Sequence, residues 1–234
     1  MKGIILAGGQ GSRLYPLTKT ISKHLLPIYD KPLIYYPLST LMLAGIKEIL
    51  IISDKANLSN YKNLLNDGNE LGVKISYAIQ EKPRGIAEAF IIGEKFLNKS
   101  KCALILGDNI FYGNELKSIL RRAKKFKSGS FIFLYPVENP ENFGVANMNK
   151  KKKIVSIVEK PLKPKSNFAV TGLYFYDNQV SNVAKKIKPS KRGELEISSI
   201  NQYYLKKKKL NHDIFGRGIA WLDTGTFDSL IDAG

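Results

Sequence analysis

The 234-residue chain holds one cysteine, Cys102, one tryptophan, Trp221, and two histidines, His24 and His212. A single cysteine excludes an intrachain disulfide. Its place in the apolar run CALILG marks a buried strand residue rather than a reactive thiol. The histidines have no third ligand at metal spacing and read as core or surface side chains. No apolar stretch is long enough to span a membrane, and glycines break the N-terminal run too soon for a signal peptide, so a cytoplasmic protein is expected. Acidic residues are also scarce: 20 Asp and Glu stand against 37 Lys and Arg, a net charge of +17. Much of this excess lies in NKKKKI (149–154) and LKKKKL (205–210), which read as solvated connections. No aromatic residues interleave with them as a stacking groove would require, so no nucleic-acid partner is expected.

Several motifs are missing. No run of Gly, four residues and Gly-Lys-Ser/Thr exists, so the P-loop is excluded. A dinucleotide fingerprint begun at Gly9 and Gly11 would need a third glycine where Leu14 stands. One Asp-Thr-Gly triplet, at Asp223, is too few for an aspartic protease, which needs two in an all-β chain.

What remains is a different phosphate-binding signal. The stretch LAGGQGSRLYPLTKTISKHLLP follows KGIILA, an apolar run without polar alternation that reads as a buried parallel strand. Gly8, Gly9 and Gly11 allow a tight turn that converges backbone N–H groups on an oxyanion. Arg13 adds a guanidinium fork suited to phosphate oxygens.

Strand candidates KGIILA, EILIIS, VKISYAIQ, CALILGD and SFIFLYPV alternate with helical patterns in YYPLSTLMLAG, LSNYKNLLNDG, GIAEAFIIGEKFL and NELKSILRRAKKF. Gly45 and Gly68 stand where helix C-terminal glycines belong. Repeated βα units predict an α/β fold, a mixed and mainly parallel central sheet flanked by helices. Ligands of such sheets bind beyond the strand C-termini, here Gly8–Arg13, Gln80–Gly85 and Gly107–Asn109. After about Pro136 the rhythm changes. FGVANMNKKKKIVSIVEKP reads as a β-hairpin with a Lys-rich turn, FAVTGLYFYD as a strand and ELEISSINQYYLKK as a helix; AWLDTGTFDSLIDAG leads into a last helix. No linker separates the halves, so residues 1–234 are expected to form one domain.

Asp108 ends a buried strand, where one carboxylate with phosphate oxygens can hold Mg²⁺. Asp223 is a candidate second ligand. Glu159 and Lys160 are adjacent, so both reach one ligand only at an irregular strand end. The amide of Gln80 offers a donor and an acceptor to a nucleobase edge.

The segments GIILAGGQGSRLYPLTKTISKHLLPIYDKPLIYYPL, LGDNIFYG, FGV, VEKP, AVTGLYFYD, RGELEISSIN and AWLDTGT closely resemble, in order and over nearly the whole chain, the bacterial glucose-1-phosphate thymidylyltransferases among the sugar-phosphate nucleotidyltransferases. The resemblance implies a Rossmann-like nucleotidyltransferase fold with a nucleotide-binding part over about 1–136 and a sugar-phosphate-binding part, including an inserted β-hairpin, over about 137–234. It implies Mg²⁺-dependent conversion of dTTP and glucose 1-phosphate to dTDP-glucose and pyrophosphate, the first step of dTDP-deoxysugar synthesis of the dTDP-rhamnose type, by a homo-oligomer, a tetramer in the family. The nucleotide would lie on Gly8, Gly9, Gly11, Ser12, Arg13, Lys23, Gln80 and Gly85. Arg13, Lys23 and Asp108 would be catalytic, and Asp108 and Asp223 would hold the metal. Asn109, Gly144, Glu159, Val170, Tyr174 and Trp221 would form the sugar pocket, with Lys160 and Arg192 on its phosphate.

Three departures accompany the resemblance. His24 stands where the family commonly has Gln, which would make a phosphate-side contact pH-dependent. Arg84 and Glu88 replace an acid and an amide beside the base pocket, which bears on thymine against uracil. Against the family pattern the chain is several tens of residues short, so the C-terminal helical tail of the family is expected to be missing from it. Rival readings are transfer from UTP or to another sugar phosphate, a nucleotide-binding regulator without turnover, and a polyanion-binding protein using the Lys runs.

Overall fold

The computed structural model describes residues 1–9 and 11–234. Its elements in chain order are β1 (Lys2–Leu6), β2 (Pro27–Ile28), β3 (Lys31–Pro32), α1 (Tyr35–Leu43), β4 (Glu48–Ser53), α2 (Leu58–Leu65), β5 (Lys74–Ile79), α3 (Ala89–Ile92), α4 (Glu94–Leu97), β6 (Cys102–Leu106), β7 (Asn109–Gly113) and α5 (Leu116–Lys124). There follow β8 (Ser130–Pro136), β9 (Gly144–Met148), β10 (Ile154–Glu159), β11 (Phe168–Tyr176), α6 (Val180–Ala184), α7 (Ile197–Lys206), β12 (Leu210–Ile214), β13 (Ile219–Asp223) and α8 (Phe227–Asp232).

The central sheet runs β10-β9-β11-β6-β1-β4-β5, with β8 beside β11 and β12 beside β8. Pairs β6–β1, β1–β4 and β4–β5 are parallel, as the buried apolar runs predict. Alternation explains why those runs carry no polar positions. Ile5, Ile49, Ile51 and Ile105 face one side of the sheet; Ile4, Leu50, Ile52 and Leu104 face the other. The first face is covered by α1, α2 and α5 through Leu41, Tyr61 and Leu120, the second by α3, α6 and α7 through Phe90, Val180 and Ile200. Each such fully buried aliphatic side chain contributes about 1.5–3 kcal/mol, so both faces must be apolar for the sheet to be stable.

Strand β11 joins the two halves by pairing antiparallel with β6 and β9 along one edge and with β8 along the other. The Lys-rich segment is the hairpin turn between antiparallel β9 and β10. Two elements differ from expectation. The helix predicted over 85–97 is a 3-10 turn followed by two short helices divided at Gly93, where a β-carbon would lie 2.9 Å from the Ala89 carbonyl and from Ile4. Of the two glycines expected to end helices, Gly45 follows α1 with φ +70°, whereas Gly68 stands beyond the end of α2 and opens a further 3-10 turn. Strands β7 and β13 pair antiparallel in a separate ribbon, with Asp223 opposite Asn109 and Trp221 opposite Phe111.

Candidate active site

The C-terminal ends of β1, β4, β5 and β6 deliver Gly8, Asp54, Gln80 and Asp108 to one edge of the sheet. Gly9 and Gly11 have φ of +101° and +59°, the left-handed region that favours glycine. Leu14, fully buried, anchors the loop, and the Thr18 hydroxyl donates to the Gly11 carbonyl at 2.9 Å. Ser12 and Arg13 follow in an exposed 3-10 turn. A cavity of about 350 Å³ opens beside the loop, lined by Gly9, Thr18, Ser22, Asp54, Asn57 and Gln80 among others. Gln80 lies against the backbone of Gly8, where a β-carbon would stand 2.6 Å from its Oε1. Gly85 does not line this cavity. Its φ is +106°, and it packs on the Leu195 backbone, leaving no room for a side chain.

Lys23 reaches from the loop to Asp108 Oδ2 in a mostly buried ion pair. Asp108 Oδ1 accepts from Asn109 Nδ2 at 3.0 Å, and its backbone carbonyl accepts from the N–H and hydroxyl of Thr224 at 3.0 and 2.9 Å. That clasp and the β7–β13 pairing bring Asp223 beside Asp108. Burial pushes the Asp223 carboxyl up to about 6; the neighbouring charge of Asp108 adds to the rise, against Lys23, Arg13 and Lys160. Burial also acts on Asp108, but Lys23 and hydrogen bonding outweigh it and hold that carboxyl below the ordinary range. Arg13 completes the cluster. A β-carbon on Gly225 would stand 2.7 Å from Arg13 Nη2 and 3.3 Å from Asp223 Oδ1.

Two hard carboxylates, one strongly paired and one reluctant to ionise, are a donor set suited to Mg²⁺ with phosphate oxygens completing its shell. Among the described residues no group of three or more His, Cys, Asp or Glu is gathered as an all-protein metal cage would require.

A second cavity, about 190 Å³, is bordered by Arg13 and Asp223 and lined by all eight residues expected to meet the sugar phosphate: Asn109, Gly144, Glu159, Lys160, Val170, Tyr174, Arg192 and Trp221. Asn109 Oδ1 accepts from Trp221 Nε1 at 2.7 Å and from the Gly172 N–H at 3.1 Å. Glu159 ends β10 and accepts from Ser198 Oγ; burial and Glu196 raise its carboxyl, with Ser198 opposing. Lys160 has φ +40°, and this irregular strand end lets adjacent Glu159 and Lys160 border one cavity. Arg192 stands at the rim with Nη2 on Glu194 at 2.8 Å. Tyr174 is buried, and its hydroxyl is held protonated by burial first and by Glu159, Asp223 and Asp108.

One expectation is corrected. His24 is buried, with Nδ1 3.0 Å from Ser22 Oγ and its ring against Gly107. Burial, and then Lys23, push it down to about 3, so it stays neutral through the physiological range and cannot confer pH-dependent phosphate binding. His212 is half-buried on β12, with Nε2 3.0 Å from the Lys152 carbonyl. Sequence reasoning also missed Asp54, Asn57, Gly172, Ser198 and Asn201 as lining residues. A glycine inside a strand signals close approach, so Gly172 was detectable; Asp54 follows a buried strand at the same sheet edge as Gly8. Ser198 and Asn201 carried no such signal.

A glycine-rich loop, two carboxylates and two cations beside two cavities are an arrangement suited to an enzyme acting on phosphate groups. The nucleotidyl transferase family model matches residues 2–234. A glucose-1-phosphate thymidylyltransferase of Neisseria meningitidis is 56% identical over 233 residues, 100% of this chain and 81% of that protein. One of Mycolicibacterium smegmatis is 54% identical with the same coverage. A crystal structure of a Bacillus anthracis protein described by the same activity, in complex with a sucrose, superposes with a TM-score of 0.92 at 44% identity, over 100% of this chain and 93% of that one. A UDP-glucose pyrophosphorylase complexed with UDP-glucose superposes with a TM-score of 0.86 at 27% identity, over 99% and 96%. The chain belongs to the nucleotidyl transferase family and is a nucleotidyltransferase.

Proposed function

We propose that the enzyme transfers a thymidylyl group from dTTP to α-D-glucose 1-phosphate, giving dTDP-glucose and pyrophosphate. One observation carries the reading: Arg13, Lys23, Asp108 and Asp223 converge between a cavity bordered by Gln80 and a cavity bordered by Glu159 and Trp221. The names of relatives more than half identical support the choice of nucleotide and sugar.

In this reading residues to about 136 hold dTTP and those from about 137 hold the sugar phosphate. The loop Gly8–Arg13 cradles the triphosphate. Gln80 reads the base, while Gly85, packed on the Leu195 backbone, shapes the turn that follows it. Glu159 accepts sugar hydroxyl donors, Asn109, Gly144, Val170, Tyr174 and Trp221 shape the pocket, and Lys160 and Arg192 hold the sugar phosphate. A phosphate oxygen of the sugar bonds to the α-phosphorus as the bond to the α–β bridging oxygen breaks, and that electron pair leaves on pyrophosphate. Arg13 and Lys23 neutralise the departing charge; alignment and charge stabilisation supply the acceleration. Asp108 and Asp223 would hold Mg²⁺, which supplies charge neutralisation at the phosphate oxygens when bound. Among the described residues no helix is long and apolar enough to cross a membrane; the reading includes a cytoplasmic homo-oligomer.

The test is pyrophosphate release with glucose 1-phosphate and Mg²⁺, comparing dTTP, UTP, ATP, CTP and GTP. Release with dTTP that requires the sugar phosphate is expected. No release with any nucleotide from folded protein, or release from UTP in preference to dTTP, would overturn the reading.

A further inference from the structure

The side chain of Gln80 is anchored from behind. Its Nε2 donates to Glu88 Oε2 at 2.9 Å, and Glu88 is almost fully buried. Arg84 secures that carboxylate, donating from Nε to Glu88 Oε1 at 2.8 Å and from its backbone N–H to Oε2 at 3.4 Å, while its own side chain is 67% exposed. The backbone adds a second restraint, because the Glu88 N–H donates to the Gly85 carbonyl at 3.3 Å.

A glutamine amide can usually turn over and exchange its oxygen and nitrogen. A carboxylate only accepts hydrogen bonds, so the atom facing Glu88 must be the nitrogen. This directs Oε1 the other way, against Gly8 and beside the first cavity. Among the described residues none donates a hydrogen bond to it. The amide nitrogen has two hydrogens, and Glu88 takes one. The free edge of Gln80 therefore presents a fixed pair, an acceptor and an N–H donor.

We infer that Glu88, secured by Arg84, is a positioning residue that sets this orientation and so selects a base with an N–H beside a carbonyl. Thymine and uracil have that imide edge, N3–H next to O4. Cytosine presents the reverse, an acceptor at N3 next to an amino group, and would meet acceptor with acceptor and donor with donor. The inference rests on the reading that Gln80 faces the base, and it adds the residue that makes Gln80 discriminate. Thymine and uracil share the edge, so this pair does not separate them.

The test compares dTTP and dCTP by kcat/KM for pyrophosphate release in the wild type, Glu88→Gln and Arg84→Ala. In Glu88→Gln the new carboxamide can donate as well as accept, which frees Gln80 to turn over and match cytosine. The dTTP/dCTP ratio is expected to narrow about tenfold, the effect of roughly one mismatched hydrogen bond, through KM rather than kcat. In Arg84→Ala the carboxylate remains an acceptor, so the ratio should stay within about twofold of the wild type even if both KM values rise, a change no larger than the scatter of a single hydrogen-bond contribution. An unchanged ratio in Glu88→Gln overturns the inference. An equal narrowing in both variants also overturns it, since that would reflect a loosened loop. A wild type that does not use dTTP overturns the proposed function as well, which separates the two failures.

Discussion

Lys23 and Asp108, 85 residues apart in the chain, form an ion pair in which each side chain is 14% exposed. It ties the phosphate-loop segment to the end of β6 and fixes a cation and a carboxylate at one point. Asp108→Asn keeps the shape but weakens the attraction for both Lys23 and a divalent ion. Mg²⁺-dependent turnover should fall about 10²–10³-fold, the range seen when transition-state charge stabilisation is removed. Normal activity in steady-state assays would remove Asp108 as a metal ligand.

The raised carboxyl of Asp223 gives a pH signature. An acid whose folded value lies near 6, against 3.8 ordinarily, binds its proton more tightly in the fold than in the unfolded chain. Its stabilising contribution is complete below the ordinary value and fades as pH rises through 6. Metal binding requires the ionised form, so the Mg²⁺ concentration for half-maximal activity should rise about tenfold per unit below pH 6. Mg²⁺ titrations of activity from pH 5 to 8 check this, and a flat dependence would contradict it.

Arg13 is exposed and reaches the carboxylate cluster without being buried in it. Arg13→Ala should therefore lower kcat by about 10²–10³-fold while leaving the thermal midpoint nearly unchanged. A loss of only a fewfold would remove Arg13 from the leaving group.

Asn109 joins three elements by accepting from Trp221 on β13 and Gly172 on β11. Asn109→Ala strands both buried donors, at about 1–3 kcal/mol each. A stability loss of about 2–6 kcal/mol in urea unfolding and a higher KM for glucose 1-phosphate are expected together. A KM change without any stability change would mean the clasp is not structural.

The sequence made the individual strands and the ligand-bearing ends legible because buried parallel strands must be apolar on both faces. It also exposed Asp108 and Asp223 as candidates, but not that they meet. Their meeting depends on the β7–β13 ribbon, whose strand NIFYG is short and begins with the polar Asn109. Strand β12, LNHDI, was missed for a related reason. It carries three polar residues between two apolar ends, and its place beside β8 is set by tertiary pairing. The break at Gly93 was hidden because two of its three close contacts come from Ile4 on β1 and Leu50 on β4. The Glu88–Gln80 contact lies only eight residues apart, yet it depends on the turn at 85–88, which is held by the distant Leu195 backbone.

The ribbon clasp also has a consequence for synthesis. Its closing contacts span 112 residues from Trp221 to Asn109 and 116 from Thr224 to Asp108. The ribosome synthesises strands β1, β4, β5 and β6 and the helices between them well before residues 221–224, which make both contacts. Both carboxylates can therefore come together only once β13 has emerged and docked.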